Sequence, residues 1–175
     1  RSMAGEILED VRRDERPVDL SSLVDRMVGL LRHVAAQRAV RLELAITPNL
    51  WVEGDPQDLS RLVTNLVSNA LKYAPRDSRV GLSVALDGEQ VLCVVRDQGP
   101  GIPAGMEEAI FGRGSQAPGA AAGHGLGLYI CQRIVREHGG SIHARTHRRG
   151  GAVITFRLPR RMRAWESLPA EKALE

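Results

Sequence analysis

Aromatic side chains are scarce in this chain of 175 residues, in which they make up 3% of the total. Domains that hold single-stranded nucleic acid usually stack bases on such rings. The net charge of +3 is mildly basic, but the arginines are scattered, and only RTHRRGG (145–151) and PRRMR (159–163) are locally dense. A solvated basic face is the favoured interpretation, and no nucleic-acid partner is expected.

Cysteines and long apolar runs are also few. Cys93 and Cys131 lie far apart in apolar segments, without a CxxC pair or a histidine set at metal-ligand spacing. We expect buried, reduced thiols, which favours the cytoplasm. No run approaches the length of a membrane-spanning helix, and the N-terminus lacks the order of a signal peptide. The chain as given is therefore expected to be soluble.

The apolar pattern predicts helices interleaved with hairpins. Helical spacing is found in three segments: Asp19 to about Gln37, Asp58 to Tyr73, and LGLYICQRIVREH (126–138). Asp55-Pro56 places proline in the first turn of the second helix. Strand signals are found in VRLELAI (40–46), in LWVEG (50–54), and in two hairpins around Asp87-Gly88 and RRGG (148–151). We expect an α+β fold of two layers, in which a mixed, mostly antiparallel sheet of about five strands is covered on one face by about three helices.

A polar row follows one edge of the predicted helix 58–73. Arg61, Asn65, Asn69 and Lys72 fall beside its apolar stripe. Asparagine is a poor helix former, so two of them one turn apart next to the core suggest a binding role. The alternative is an ordinary solvent face.

A carboxylate stands at the end of the strand VLCVVRD. Asp97 runs directly into Gly99 and Gly101, which permit close backbone approach. A carboxylate placed there can accept hydrogen bonds from an amino group. Taken alone, the same pattern also fits a common Asp-Gly turn.

The stretch GHGLGLYICQRIVREHGG (123–140) opens a helix with a glycine-rich loop. Exposed backbone N–H groups at a helix start suit phosphate. No Gly-Lys-Ser/Thr follows, so it is not a Walker loop, and the GxGxG spacing is not the dinucleotide fingerprint. Alone it could equally be a flexible hinge.

In this order the three motifs resemble the catalytic ATP-binding domain of sensor histidine kinases. These belong to the GHKL superfamily of gyrases, heat-shock chaperones, histidine kinases and mismatch-repair ATPases. The resemblance runs from about Pro17 to Leu158. It comprises an N box, GDPQDLSRLVTNLVSNALKYA; a first glycine box, DQGPGIP; an F box, IFGRG; and a second glycine box, GHGLGLYICQRIVREHGGSI. We expect a linker or upstream helix end over 1–16, the domain over 17–159 and a polar tail over 160–175.

The resemblance implies how adenine would bind. Asp97 would accept the exocyclic amino group, which favours ATP over GTP because guanine presents a carbonyl at that edge. Tyr73 would flank the nucleotide, and the backbone would approach the base at Gly99, Gly101 and Ile102.

The resemblance also implies a phosphate and magnesium site. Asn65 and Asn69 would supply oxygens to Mg²⁺, which takes its remaining ligands from phosphates and water. Lys72 would contact phosphate oxygens, and Arg113 is a candidate γ-phosphate contact. The segment between the glycine boxes would be an ATP lid. The phosphates would be wrapped by Gly123, His124, Gly125, Leu126, Gly127 and Leu128.

Two departures from the family pattern matter. Phe111 is followed by Gly112, Arg113 and Gly114, without the usual second aromatic. The phosphoacceptor motif, a histidine followed by an acid, is absent from the printed chain. None of the five histidines fits it: His33, His124, His138, His143 and His147.

The expected partners follow from that absence. The acceptor histidine would lie on a dimerisation domain outside this chain, in a homodimer, and a response regulator would receive the phosphoryl group. The expected location is the cytoplasm, with any membrane anchor outside this chain. The alternatives are an ATP-hydrolysing GHKL enzyme, which carries a glutamate where this chain has Asn65, a serine kinase of the anti-sigma type, and a degenerate module that only binds partners.

Overall fold

A computed structural model describes residues 13–114 and 127–162. It contains three α-helices: α1 (Leu20–Gln37), α2 (Pro56–Tyr73) and α3 (Gly127–Glu137). One 3₁₀ turn covers Ala109–Phe111. The strands are β1 (Arg16–Asp19), β2 (Arg41–Ile46), β3 (Trp51–Gly54), β4 (Arg79–Asp87), β5 (Gln90–Arg96), β6 (Ser141–Thr146) and β7 (Ala152–Pro159).

Five of the strands form one sheet in the order β2-β4-β5-β7-β6. β2 pairs with β4 in parallel, and the other neighbours are antiparallel. The sheet is therefore mixed and mostly antiparallel, and the predicted two-layer α+β fold is confirmed. The two predicted hairpins, β4-β5 and β6-β7, supply four of the five strands.

The core lies between one face of this sheet and the helices. Along β4 the side chains of Val80, Leu82 and Val84 are buried, whereas the alternate positions Gly81 and Ser83 are only partly buried. This period of two reflects the pleat, which points successive side chains to opposite faces. The helices consequently cover one face of the sheet, as predicted.

The helix starts follow from local side chains. Asp19 caps α1, since its Oδ1 accepts the Ser22 N–H at 3.1 Å. Asp55 caps α2 by accepting the Gln57 N–H at 2.9 Å, and Pro56 fills the first helical position, where no intrahelical donor is needed. α2 therefore begins at Pro56, which the sequence places in the first turn of this helix.

One strand was missed in the sequence. β1 contains Pro17 and pairs with β3 in a separate two-stranded sheet, in which Pro17 lies opposite Glu53. Proline cannot donate to a ladder and is confined to edge strands, which is the position it has here. LWVEG is confirmed as a strand, but it belongs to this small sheet.

The contacts of the domain extend beyond both predicted boundaries. The Arg13 side chain donates to the Glu137 carbonyl at 2.9 Å, and the Asp14 N–H donates to Asp55 Oδ2 at 3.0 Å. At the other end, the Arg161 N–H donates to the Trp51 carbonyl at 2.8 Å, and its guanidinium forms an ion pair with Glu53. Residues just outside 17–159 are thus part of the packed unit.

Two further expectations can be checked on the described residues. Cys93 and Cys131 are both free and buried, as expected, and burial raises the pKa of each thiol to about 12. Among residues 13–114 and 127–162, no helix combines the length and apolarity that crossing a bilayer requires.

Candidate functional site

The polar row predicted on α2 lies at the border of the core. The side chains of Asn65, Asn69, Lys72 and Tyr73 are partly buried, whereas Arg61 is exposed. The two asparagines cost the helix roughly 0.5 to 0.7 kcal/mol each relative to alanine. Burial of a large apolar side chain is worth about 1.5 to 3 kcal/mol, so packing outweighs that cost several-fold. The stripe that packs consists of Leu59, Leu62, Val63, Leu66, Val67, Ala70 and Leu71.

Asn65 marks the contact between α2 and α3. Its amide interacts with the Cys131 thiol on α3, which also donates to the Leu62 carbonyl at 3.7 Å. Arg61 lies close enough for its charge to act on the same thiol. Arg61 and Asn65, the first two residues of the polar row, therefore face α3, the helix that follows the glycine-rich loop of the second glycine box.

Lys72, the last residue of the polar row, is followed by Tyr73 at the C-terminal end of α2. The Lys72 ammonium lies 5.4 Å from the centroid of the Tyr73 ring, which is within the range of a cation–π interaction. This contact places a positive charge at the end of α2, one helical turn beyond Asn69.

The ends of α2 and α3 remote from this row are tied together by His138. The Asp55 N–H donates to His138 Nε2 at 3.1 Å, so Nε2 is the acceptor and Nδ1 carries the proton. Nδ1 lies 2.7 Å from the Ile134 carbonyl oxygen and donates to it. A Cβ on Gly54 would lie 2.5 Å from the His138 ring, so this tie requires glycine at position 54. No sequence pattern had indicated it.

Asp97 is the most deeply buried acidic group of the site, with 4% of its surface exposed. Its Oδ1 accepts the Gly99 N–H at 2.8 Å and the Ala152 N–H at 3.1 Å. Burial raises the pKa of Asp97, and these two backbone hydrogen bonds oppose that rise. In the described part of the chain both hydrogen bonds end on Oδ1, so Oδ2 remains available to a donor.

The first glycine box fits closely against its surroundings. A Cβ on Gly99 would lie 2.6 Å from the Tyr73 carbonyl oxygen, at the end of α2. Gly101 has a φ of +79°, and a Cβ there would lie 2.7 Å from the Thr146 methyl group. Both positions therefore require glycine for contacts within the protein, and the contact with Tyr73 places the box beside the end of α2. The approach of this backbone to a base stays a prediction.

The hairpin β6-β7 contacts Asp97 and the first glycine box, although the sequence predicted it only as a hairpin with no role in the site. Ala152 exchanges hydrogen bonds with Asp97, since the Asp97 N–H donates to the Ala152 carbonyl at 3.0 Å. Gly151 has a φ of +87°, and a Cβ there would overlap the Asp97 carbonyl oxygen. Thr146 accepts the Ile102 N–H at 2.9 Å. In the sequence, the glycine pair in RRGG was the one feature that could have indicated this close approach of the hairpin to Asp97.

Part of the predicted phosphate site lies outside the described residues, namely Gly123, His124, Gly125 and Leu126. Gly127 is the exposed first residue of α3, and Leu128 is partly buried beside it.

The F box is described up to Gly114. Phe111 is buried at the end of the 3₁₀ turn, so this segment is anchored by one aromatic side chain. Arg113 is exposed two residues later, and the described residues do not bring it into contact with the polar row.

The side chains near α2 indicate what kind of metal site could form there. Residues 13–114 and 127–162 contain no group of three or more His, Cys, Asp or Glu side chains that could hold a metal ion. The neutral oxygens of Asn65 and Asn69 are instead suited to Mg²⁺ that is bound mainly by phosphates and water. The residues fit a metal that arrives with a nucleotide.

Comparison with known proteins agrees with this geometry. Residues 54–162 match the model of a family described as histidine kinase-, DNA gyrase B-, and HSP90-like ATPase. A signal transduction histidine-protein kinase/phosphatase, MprB of Mycolicibacterium smegmatis, is 36% identical over 81% of this chain and 30% of its own length. The histidine-protein kinase BaeS of Escherichia coli is 33% identical over 82% of this chain and 32% of its own length. The chain thus spans about a third of these relatives.

Solved structures give the same result. A mycobacterial sensor histidine kinase MprB structure superposes with a TM-score of 0.75 and 33% identity, covering 85% of this chain and 99% of that one. The ATP-binding domain of PrrB from Mycobacterium tuberculosis superposes with a TM-score of 0.68 and 28% identity, covering 85% of this chain and 99% of that one. The resemblance inferred from the motifs is confirmed. The chain belongs to the histidine kinase-, DNA gyrase B- and HSP90-like ATPase family, and within it corresponds to the ATP-binding catalytic domain of the sensor histidine kinases.

Proposed function

We propose that this chain binds Mg·ATP and transfers the γ-phosphoryl group to a histidine on a dimerisation domain of the same protein. The observation that carries the proposal is the hydrogen bonding of the Asp97 carboxylate. Among the described residues its Oδ1 accepts two backbone N–H groups and its Oδ2 accepts none, and the glycines next to it let the backbone of the first glycine box pack closely against Tyr73 and Thr146. A carboxylate oxygen there matches the amino edge of adenine and opposes the carbonyl edge of guanine.

The phosphates would extend from this pocket along the polar edge of α2 towards the start of α3. Lys72 and the N-terminus of α3 would stabilise their charge, together with the second glycine box from Gly123 to Leu128. Asn69 and Asn65 would hold Mg²⁺, which supplies charge neutralisation on the phosphate oxygens when it is bound. Arg113 would act on the γ-phosphate from the lid.

In the proposed transfer, an imidazole nitrogen forms a bond to the γ-phosphorus while the bond to the β,γ-bridging oxygen breaks. ADP leaves, and the ring proton is released to solvent. The domain contributes positioning and charge stabilisation rather than a covalent group. A response regulator aspartate would then accept the phosphoryl group from the histidine, and the parent protein would act as a homodimer, with any membrane anchor outside this chain.

Asn65 separates this function from ATP hydrolysis. An amide cannot accept a proton from attacking water, so intrinsic hydrolysis is expected to be slow. The proposed domain would hold ATP until the acceptor histidine arrives.

The proposal is tested by calorimetric titration of the chain with ATP and GTP, with and without Mg²⁺. ATP is expected to bind, more tightly with Mg²⁺, and GTP at least about 100-fold more weakly. Radiolabelled phosphate should then appear on a histidine when the chain is expressed with its own upstream dimerisation segment. Absence of ATP binding would refute the proposal. Rapid hydrolysis without an acceptor would favour the ATPase alternative, and label on serine the serine kinase.

A further inference from the structure

Thr146, the last residue of β6, holds the end of the first glycine box with its side chain. The Ile102 N–H donates to Thr146 Oγ1 at 2.9 Å, and the Thr146 hydroxyl donates to the Ile102 carbonyl at 3.1 Å. One side chain therefore pairs with both backbone polar groups of a residue 44 positions away. The Thr146 methyl group at the same time occupies the space beside Gly101.

The other end of the box is fastened to the same place on the hairpin. Asp97 is bonded to Ala152 through its backbone N–H and through Oδ1. Ala152 is in turn the strand partner of Thr146. The loop from Asp97 to Ile102 is thus closed by two adjacent anchor points on β6 and β7. The separation of the anchors determines how far Gly101 and Ile102 lie from the Asp97 carboxylate.

We propose that Thr146 is a positioning residue of the adenine pocket. Its hydroxyl keeps Gly101 and Ile102 at the spacing from Asp97 that an adenine ring requires, while Thr146 itself acts only through Ile102. This inference rests on the proposed function of the chain as an ATP-binding domain. It assigns a role to a residue that lies outside the motifs on which the sequence resemblance depends.

The polar groups that Thr146 engages lie in an exposed part of the molecule, so water can replace the hydroxyl when nothing is bound. Loss of the hydroxyl is therefore expected to affect folding little and adenine affinity more. Two modest hydrogen bonds correspond to a roughly 5- to 50-fold change in Kd. The phosphate side of the site should not change, since within residues 13–114 and 127–162 the Thr146 hydroxyl is bonded only to Ile102, on the adenine side.

The test compares Thr146→Val, which lacks the hydroxyl, with Thr146→Ser, which keeps it. Thr155→Val is the matched control, because Thr155 lies on neighbouring β7 and makes no hydrogen bond through its hydroxyl to the described residues. Each protein is titrated calorimetrically with Mg·ATP and with magnesium tripolyphosphate, which has no base. Thr146→Val should raise the Kd for ATP roughly 5- to 50-fold and leave tripolyphosphate within about 2-fold. Thr146→Ser and Thr155→Val should both match the wild type.

Several results would overturn the inference. Unchanged ATP affinity in Thr146→Val would refute the positioning role of Thr146 but would not affect the proposed function. Equal losses for ATP and tripolyphosphate would indicate only a structural role, and a Thr146→Ser protein as weak as Thr146→Val would exclude the hydroxyl as the cause. A wild-type chain that binds tripolyphosphate but not ATP would remove both the inference and the proposed function.

Amide hydrogen exchange provides a readout that requires no variant. The Ile102 N–H of the wild-type chain should exchange slowly before nucleotide is added, since Thr146 already accepts it. Exchange of this amide at the rate of a free peptide would contradict the inference even if Thr146→Val failed to fold.

Discussion

Replacing Asp97 with asparagine removes one charge from the proposed adenine pocket and almost preserves the shape of the side chain. The Gly99 and Ala152 N–H groups would hold the amide oxygen where Oδ1 now lies. The amide NH₂ would consequently take the place of Oδ2 and face the amino group of adenine as a second donor. An acceptor thus becomes a donor at the point where recognition is proposed.

The expected loss follows from two terms. A hydrogen bond to a charged acceptor is worth about 1.5 to 3 kcal/mol, and leaving a buried donor unsatisfied costs about 1 to 3 kcal/mol more. Together they correspond to a roughly 10²- to 10⁴-fold increase in Kd for ATP. Calorimetric titration measures this change, and Asp25→Asn, at an exposed position of α1, is the matched control that should bind normally.

Stability should move in the opposite direction. Because burial raises the pKa of Asp97, the folded chain holds this proton more tightly than the unfolded chain does. The resulting stabilisation is fully present below the ordinary value of 3.8 and is lost as the pH rises through the raised folded pKa. At pH 7 the Asp97→Asn variant should therefore melt no lower than the wild type. Its advantage should shrink towards pH 3.

Two results would refute this reasoning about Asp97. One is an Asp97→Asn protein that binds ATP within about 3-fold of the wild type, since the two terms would then be absent. The other is a variant that loses ATP binding together with stability at pH 7, which would point to misfolding rather than to recognition.

Three further predictions concern the metal, the hairpin turn and the thiols. Asn69→Ala should reduce ATP affinity in Mg²⁺ to the value measured in EDTA. Ser68→Ala, at an exposed position of the same helix, should keep the dependence of ATP affinity on Mg²⁺. The same dependence in both variants would exclude Asn69 as a ligand. Gly150→Ala and Gly151→Ala both place a side chain at positive φ, at a cost of about 1 to 2 kcal/mol, but only the second overlaps the Asp97 carbonyl. Chemical denaturation should show that Gly151→Ala lowers the free energy of unfolding by about 1 to 3 kcal/mol more than Gly150→Ala does. Equal losses in the two variants would contradict the close approach of Gly151 to the Asp97 carbonyl. Since burial raises both thiol pKa values to about 12, the thiolate fraction at pH 8 is roughly 10⁻⁴. Ellman's reagent should therefore label the native chain only as fast as it opens, and rapid labelling of one thiol would disprove its burial.

Local patterns accounted for most of the secondary structure. α2 could be located because its apolar side chains recur with helical spacing and Asp55-Pro56 marks its start. β1 was missed because Pro17 argues against a strand, and its pairing with β3 depends on a contact across more than thirty positions, as in Arg16 with Gly54. The parallel pairing of β2 with β4 likewise has no local signal.

The chemistry proposed for the site rests on residue type and spacing. Asp97 stood out because a strand ended in a carboxylate followed by glycines, and the α2 row because asparagine has no packing benefit inside a helix. The part played by Thr146 and Ala152 had no such signal, since a threonine and an alanine in a hairpin are ordinary strand residues.

By itself, the sequence determined the three helices and the five strands of the main sheet, and it supplied the functional groups proposed to bind adenine, phosphate and magnesium, because periodicity and functional groups are local properties. Only the tertiary structure decided which of these segments meet. The pairing of β5 with β7 brings Ala152 to Asp97, and that of β6 with β7 brings Thr146 to the same point. The proposed adenine pocket is built from such distant residues and can form only once the sheet has formed, because the chain must close long loops before these hydrogen bonds can be made.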